Sequence, residues 1–447
     1  MAPGWIDGLT WWHVYPLGFS GAEQETDQAH GVVHRLRHLA TWLDYAHDLG
    51  CRGLQLGPVF ASRTHGYDTT DHLHIDHRLG DEHDFDALVA GCRDRDMRLL
   101  LDGVFNHVGI SHPMFRVARD AGPHPSGAAA RAARWFRLRW PEEGGLPDYD
   151  VFEGHGDLVT LNHDDPELID YVVHVMDHWL SRGADGWRLD AAYAVPSSFW
   201  TQVLPRVRER HPDAWFVGEY IHGDPVTVLA ETGLDAVTAY GLWRPLWRSL
   251  NDANYFDLSW QVERLAQYSS EHPPLTFVGN HDVTRVASAI DDQGLLSHAV
   301  AALFSLPGSP SVYYGDEQAF RGIKEERFGG DDAIRPMFPD RPEGLAPWGW
   351  PTYHLHRALI EARTRHPWLT RSRPSVLTVT NTSLALRATP DSGHGRRITT
   401  LLNIADEPVR FDVDLPEPTI EAQSDGAVHE HDHAVVPGRS WRMLSHN

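Results

Sequence analysis

The sequence predicts an α/β protein: a (β/α)8 TIM barrel with a small insert domain after its third strand and a C-terminal antiparallel β-sandwich. Three observations predict it. Apolar strand-like runs alternate with helical periods from the N-terminus to about residue 370, which argues a parallel sheet closed into a barrel. The rhythm stops between Val108 and Gly156, a stretch rich in Gly, Pro, Ala and Arg and too long for an ordinary loop. From about Arg371 the runs alternate apolar and polar residues, with turn residues between them. The expected domains are therefore 1–107 with 157–370 for the barrel, 108–156 for the insert and 371–447 for the sandwich.

The first strand is expected near Trp11. Leu36, Leu39, Leu43 and Ala46 then share one helical face, Gly50 fits a C-cap, and "GLQLGPVF" reads as a buried strand. The unit repeats as "DFDALVAGCRDRD", a helix, and "RLLLDGVFNH", an apolar strand with a polar end. Beyond the insert, Asp165 caps a helix with Pro166 at its first position and Leu168, Val172, Val175 and Trp179 as its apolar stripe. "DGWRLD" follows as the next strand. "AWFVGEY", "DAVTAY", "LTFVGNHD" and "SVYYGDE" continue the series, and polar residues repeatedly end the strands.

Composition narrows the function. A chain of 447 residues with 41% hydrophobic and 23% charged residues is that of a folded globular protein. The formal charge of -23, without a Lys/Arg block, argues against nucleic acid as a partner. A neutral substrate is indifferent to that charge, and 17 Trp with 13 Tyr supply surfaces on which sugar rings stack, although such residues more often fill cores. Cys51 and Cys92 have no metal or redox spacing and read as buried thiols. No signal segment or membrane-length apolar run is present, so a cytoplasmic protein is expected. The 30 histidines, many in helices, read mostly as solvated surface.

In "DGWRLD" a period of two sends Arg188 and Asp190 to one face and Trp187 with Leu189 to the other. Asp102, Glu219 and Asp282 end three further strands. One such acid is ordinarily a cap or an ion-pair partner, but four on one rim match the need of glycoside cleavage for an ionised and a protonated carboxyl.

These motifs, taken in order, resemble a known family. "DGVFNH", "GWRLD", "GE" after an apolar strand and "VGNHD" are similar to the four signature regions of the α-amylase family, glycoside hydrolase family 13. The resemblance extends from "WWHVYPLGF" through "HGYDTTDH" to "GGDDAIRPM". It implies Asp190 as nucleophile, Glu219 as general acid/base and Asp282 as the carboxylate that stabilises an oxocarbenium-like transition state. Arg188 is expected to hold Asp190 ionised, while Glu219 beside two anions keeps its proton.

The same resemblance implies that Tyr67 stacks on the sugar at the cleavage point, that His107 and His281 bond its hydroxyls, and that Asp331 with Arg335 holds the next sugar. Asp102 and Asn106 would frame the base of the site. In calcium-dependent members the Asn ligates Ca2+, but Tyr193 and Ala194 stand here where those enzymes have Lys-His, so no cofactor is required and calcium is only an option. Tyr193 and Tyr220, at neighbouring strand ends, could form a stacking platform for the leaving sugar.

"TLNHDDPEL", and "GLDAVTAY" after Glu219, resemble the cyclomaltodextrinase, neopullulanase and maltogenic amylase subgroup. A first strand near Trp11 leaves no room in this chain for the N-terminal β domain those enzymes usually carry for dimer contacts, so a homodimer is left open. A cyclic maltosyl-maltose hydrolase is one shorter relative that fits. The implied activity is retaining hydrolysis of α-1,4 linkages, with α-1,6 linkages left open, in linear or cyclic maltooligosaccharides. Two alternatives stand beside it: an α-glucanotransferase that uses a sugar acceptor, and a noncatalytic scaffold, against which all three carboxylates argue.

Overall fold

The computed structural model describes residues 2–26, 31–327, 329–391, 395–424 and 432–447. Eight short parallel strands form its centre: β1 (Trp11–Val14), β2 (Gly53–Leu56), β3 (Arg98–Gly103), β4 (Gly186–Leu189), β5 (Trp215–Gly218), β6 (Ala236–Val237), β7 (Leu275–Thr276) and β8 (Ser309–Tyr313). Their order is β6-β5-β4-β3-β2-β1-β8-β7. A parallel bridge from Thr238 to Leu275 joins β6 to β7 and closes the ring.

The helices between strands form where the periodicity placed them. Gly50 ends the helix Leu43–Leu49 at φ 106, in the left-handed region that glycine adopts without a Cβ clash. Asp165 caps Pro166–Ser181 by accepting from Glu167 N, and Leu168, Val172, Val175 and Trp179 are buried against the outside of the barrel. Asp81 and Asp84 form a reciprocal capping box on Glu82–Arg93.

Period two then decides what lies inside. Trp11, Leu100, Trp215, Val217, Ala236 and Leu275 meet in a closed apolar cluster at the lower end of the barrel, with Trp11 and Trp215 stacked at 5.6 Å. Gly53 admits this packing, because a Cβ there would lie 2.3 Å from the Trp11 ring.

Strands β6 and β7 are shorter than their apolar runs, at 2 residues each. After β7 the backbone turns, and Asn280 Oδ1 accepts from Asp282 N. After β6, Thr238 Oγ1 accepts from Tyr220 N, and the helix Tyr240–Asn251 begins at once.

Two excursions overhang the upper end. After β2 a hairpin of Phe60–Ser62 and Thr69–Ile75 carries Tyr67. After β3 the chain makes a three-stranded sheet from His107–Gly109, His155–Thr160 and Val151–Phe152, with helices Pro113–Asp120 and Gly127–Arg134 beside it.

At the C-terminus five antiparallel strands lie in the order Arg373–Val379, Ser383–Thr389, Arg397–Asn403, Ser440–His446, Thr419–Gln423. Leu384, Leu386, Ile398, Leu402 and Met443 face the main core, and Ala385, Leu401 and Leu444 face the other way, onto Phe411 and Val436. The short ribbon of Val409–Arg410 with Val435–Val436 supplies that thin second layer.

Both cysteines are free and buried. Nine histidines stand apart from the reading of mostly solvated surface: His13, His72, His107, His112, His163, His281, His298, His356 and His446 are buried. Several satisfy backbone carbonyls, as His72 Nε2 does with Val104 O at 2.8 Å and His163 Nε2 with Phe105 O at 2.9 Å. Burial lowers the pKa of both His72, to about 4, and His163, and holds them neutral. No helix among the described residues is long and apolar enough to cross a membrane.

Candidate active site

The upper barrel interior is charged. Asp102 and Arg188 stand in register on β3 and β4, both inward-facing, and Asp190 and Glu219 follow directly after β4 and β5. Arg188 Nη1 donates to Asp102 Oδ1 at 2.9 Å and to Asp190 Oδ1 at 2.8 Å. Its Nη2 reaches Glu219 Oε1 at 2.6 Å. One guanidinium thus serves three buried carboxyls.

Burial works against the expected ionised state of Asp190. Burial raises its pKa well above the usual carboxylate range, and the neighbouring acids Glu219, Asp102 and Asp282 reinforce that against the lowering effect of Arg188. Glu219 is also raised, by burial first and by Asp282 among its neighbours. A single cation cannot balance three adjacent anions, so the Asp190–Glu219 pair retains a proton that either acid alone would lose.

Glu219 has two hydrogen-bond donors besides Arg188, and both favour its ionised form against the effect of burial. Its Oε2 accepts from Ala191 N at 2.9 Å, and Tyr240 Oη donates to Oε1 at 3.3 Å. Tyr240 in turn accepts from Asn280 Nδ2 at 2.8 Å. Tyr240 and Asn280 had not been singled out from the sequence, although one ends the run "DAVTAY" and the other lies inside "VGNHD".

Asp282 sits on the loop beyond β7 rather than at a strand end. Burial would raise its pKa, but His281, Arg335 and Arg188 together hold it well below the usual range. His281 Nε2 lies 3.0 Å from its Oδ2, and Arg335 Nη2 donates to Oδ1 at 3.1 Å. Arg335 also pairs with Asp331 Oδ2 at 2.8 Å and lies over the Tyr15 ring at 4.5 Å. The predicted Asp331–Arg335 pair is therefore present, and it extends to Asp282, which spacing alone had not indicated.

Tyr67 Oη donates to Asp102 Oδ2 at 3.0 Å and is in close contact with His281 Nε2. The Tyr67 and His281 rings are parallel at 5.5 Å. His107 is buried beneath Phe152, stacked at 4.7 Å, and burial lowers its pKa to about 3, so its ring is neutral. Its Nε2 has no partner within the protein. These side chains converge with the acids on one cleft.

Asn106 donates Nδ2 to His107 Nδ1 at 3.1 Å, and its buried Oδ1 is unpartnered. One free oxygen is a poor calcium site, since that ion takes six to eight oxygens. Among the described residues the one cluster of three potential metal ligands, His34, Asp81 and Asp84, does not include a neighbour of Asn106.

The two tyrosines are not brought together. Tyr193 lies at the mouth, 5.2 Å from the His222 ring, with its Oη donating to Glu153 Oε1 at 2.7 Å. Tyr220 packs outside the barrel, its ring against Gly218 beside Leu234. A platform built from both is corrected to Tyr193 alone, because Val217 and Glu219 face inward and parity turns Tyr220 out.

With the geometry in view, comparison with known proteins identifies the scaffold. The family described as "Alpha amylase, catalytic domain" matches residues 13–344. The chain belongs to the α-amylase family. This α-amylase-family chain is 28% identical over 352 residues to a cyclomaltodextrinase of a Bacillus species, covering 72% of this chain and 61% of that one. It is 30% identical over 354 residues to neopullulanase 2 of Thermoactinomyces vulgaris, covering 76% and 56% respectively. The chain thus spans well under two thirds of the length of these relatives. Its fold is similar to that of cyclic α-maltosyl-(1→6)-maltose hydrolase from Arthrobacter globiformis, solved with its cyclic substrate, with a TM-score of 0.80 at 24% identity over 100% of both chains.

Proposed function

We propose that this chain is a retaining glycoside hydrolase of α-glucans, acting on linear or cyclic maltooligosaccharides. The observation that carries the reading is the single guanidinium of Arg188 holding both Asp190 and Glu219. Sharing one cation keeps the two carboxyls close, which favours direct attack by one of them over activation of a water between them.

In this reading Asp190 Oδ attacks the anomeric carbon and the glycosidic C–O bond breaks. Glu219 delivers its proton to the departing oxygen, then takes one from the incoming water that releases the sugar from Asp190. Asp282, held ionised by His281 and Arg335, stabilises the positive charge that builds on the sugar in the transition state of each step. Tyr67, His281 and His107 hold the sugar at the cleavage point.

The names of the relatives support the substrate class, since cyclomaltodextrinases and a neopullulanase are among them. Whether water or a second sugar resolves the intermediate is decided on the acceptor side, near Tyr193. Incubation with maltotriose, starch, pullulan and cyclodextrins, with the products resolved by chromatography, tests the reading. Release of glucose and maltose is expected. Failure to cleave any of the four would overturn it.

A further inference from the structure

Resting on the proposed hydrolase activity, we infer that a clasp between the insert and the barrel sets the size of substrate the cleft admits. It consists of Glu153 and Phe152 at the tip of an insert hairpin and Tyr193 on the loop after β4.

The hairpin turns through Glu153 and Gly154, between the paired residues Phe152 and His155. Both turn residues have positive φ, 47° and 80°, as a two-residue turn of this hand requires. Asn, Asp or Gly fills the first of these positions with least strain, and glutamate is a poor choice for it. A side chain kept in an unfavourable backbone state points to another constraint on that position.

The constraint visible here is the 2.7 Å bond from Tyr193 Oη to Glu153 Oε1, spanning 40 residues of sequence. It fixes the tip over the cleft. Phe152, the residue before the turn, then lies on His107 at 4.7 Å and 6.4 Å from the Tyr193 ring, and His222 adjoins Tyr193 from the far side. An aromatic wall therefore runs from the insert across the loop after β4 to the loop after β5. Tyr193 N donates to the backbone carbonyl of Glu219 at 3.3 Å, so this wall stands beside the acids and bounds the side through which one end of a substrate leaves. A short or cyclic oligosaccharide can lie within that wall, whereas a long branched polymer needs it open.

The test measures kcat/KM on soluble starch relative to maltotriose in the wild type, Tyr193→Phe and Glu153→Asn. Tyr193→Phe removes only the hydroxyl, and Glu153→Asn suits the turn but is too short to reach it. Each should raise the starch-to-maltotriose ratio roughly fivefold, the scale of one lost hydrogen bond. The double variant should match the single ones, because either change opens the same contact. A ratio unchanged within about twofold in both variants of an active enzyme would overturn the clasp. If the wild type cleaves neither substrate, the activity reading fails instead. The clasp is then read by amide exchange over residues 151–156, where roughly tenfold faster exchange in Tyr193→Phe supports it and unchanged exchange overturns it.

Discussion

The lower and upper halves of the barrel interior are made by the same strands a few residues apart, yet one is dry and apolar and the other is charged. On β3, Leu100 faces the plug and Asp102 the site; on β5, Trp215 and Val217 lead to Glu219. Period two keeps all of them inward, so rise along the strand alone converts scaffold into chemistry. The plug gains stability by burying aromatic area. The site gives some of it away, because three acids there share one cation.

The sharpest break of this contrast is a pair of single substitutions. Asp190→Asn should lower turnover about 10^4-fold or more while the thermal transition stays cooperative and near its original temperature. Trp215→Ala should do the reverse. It removes a fully buried ring stacked on Trp11 and should cost about 3–5 kcal/mol of stability. Chemical denaturation with kinetics on the folded fraction separates the two. A Trp215→Ala enzyme that is stable but inactive would mean that plug and site are not independent.

A smaller effect sharpens the same contrast through pH. The folded-state pKa of Asp190 is raised by burial and by its neighbouring acids. Such a group binds its proton more tightly in the folded state, so its stabilising contribution is complete below the unfolded carboxylate value and is lost as pH rises through the folded one. Asp190→Asn should therefore gain melting temperature relative to wild type as pH rises above the unfolded carboxylate value, whereas a variant in the plug should show a pH-independent difference. Calorimetry across that range reads both. A gain that shrinks with rising pH would contradict the crowding of charge at the mouth.

Much of this contrast was legible before the fold was seen. Parity within "GWRLD" placed Arg188 beside Asp190, and the apolar runs located all eight strands. The same parity, applied to "WFVGEY", would have turned Tyr220 outward once Glu219 was set inward. Contacts across long loops were not legible. Arg335 reaches Asp282 over 53 residues and Tyr193 reaches Glu153 over 40. No local pattern encodes them, because closure of the barrel brings those loops together. Arg188 serving Glu219 as well as Asp190 was also hidden, since it needs the pairing of β4 with β5. Several buried histidines were missed for another reason: His72, His163, His298 and His356 bond backbone carbonyls, which leave no trace in residue type.

The account's central claim, that Asp190 attacks the sugar directly, is tested most directly by the configuration of the first product. Proton NMR of a fresh maltooligosaccharide digest, followed before mutarotation, should show the α anomer first, as two displacements at one anomeric carbon flanked by carboxyls ~5 Å apart require. Initial appearance of the β anomer would contradict it, and would assign Asp190 to activating water instead.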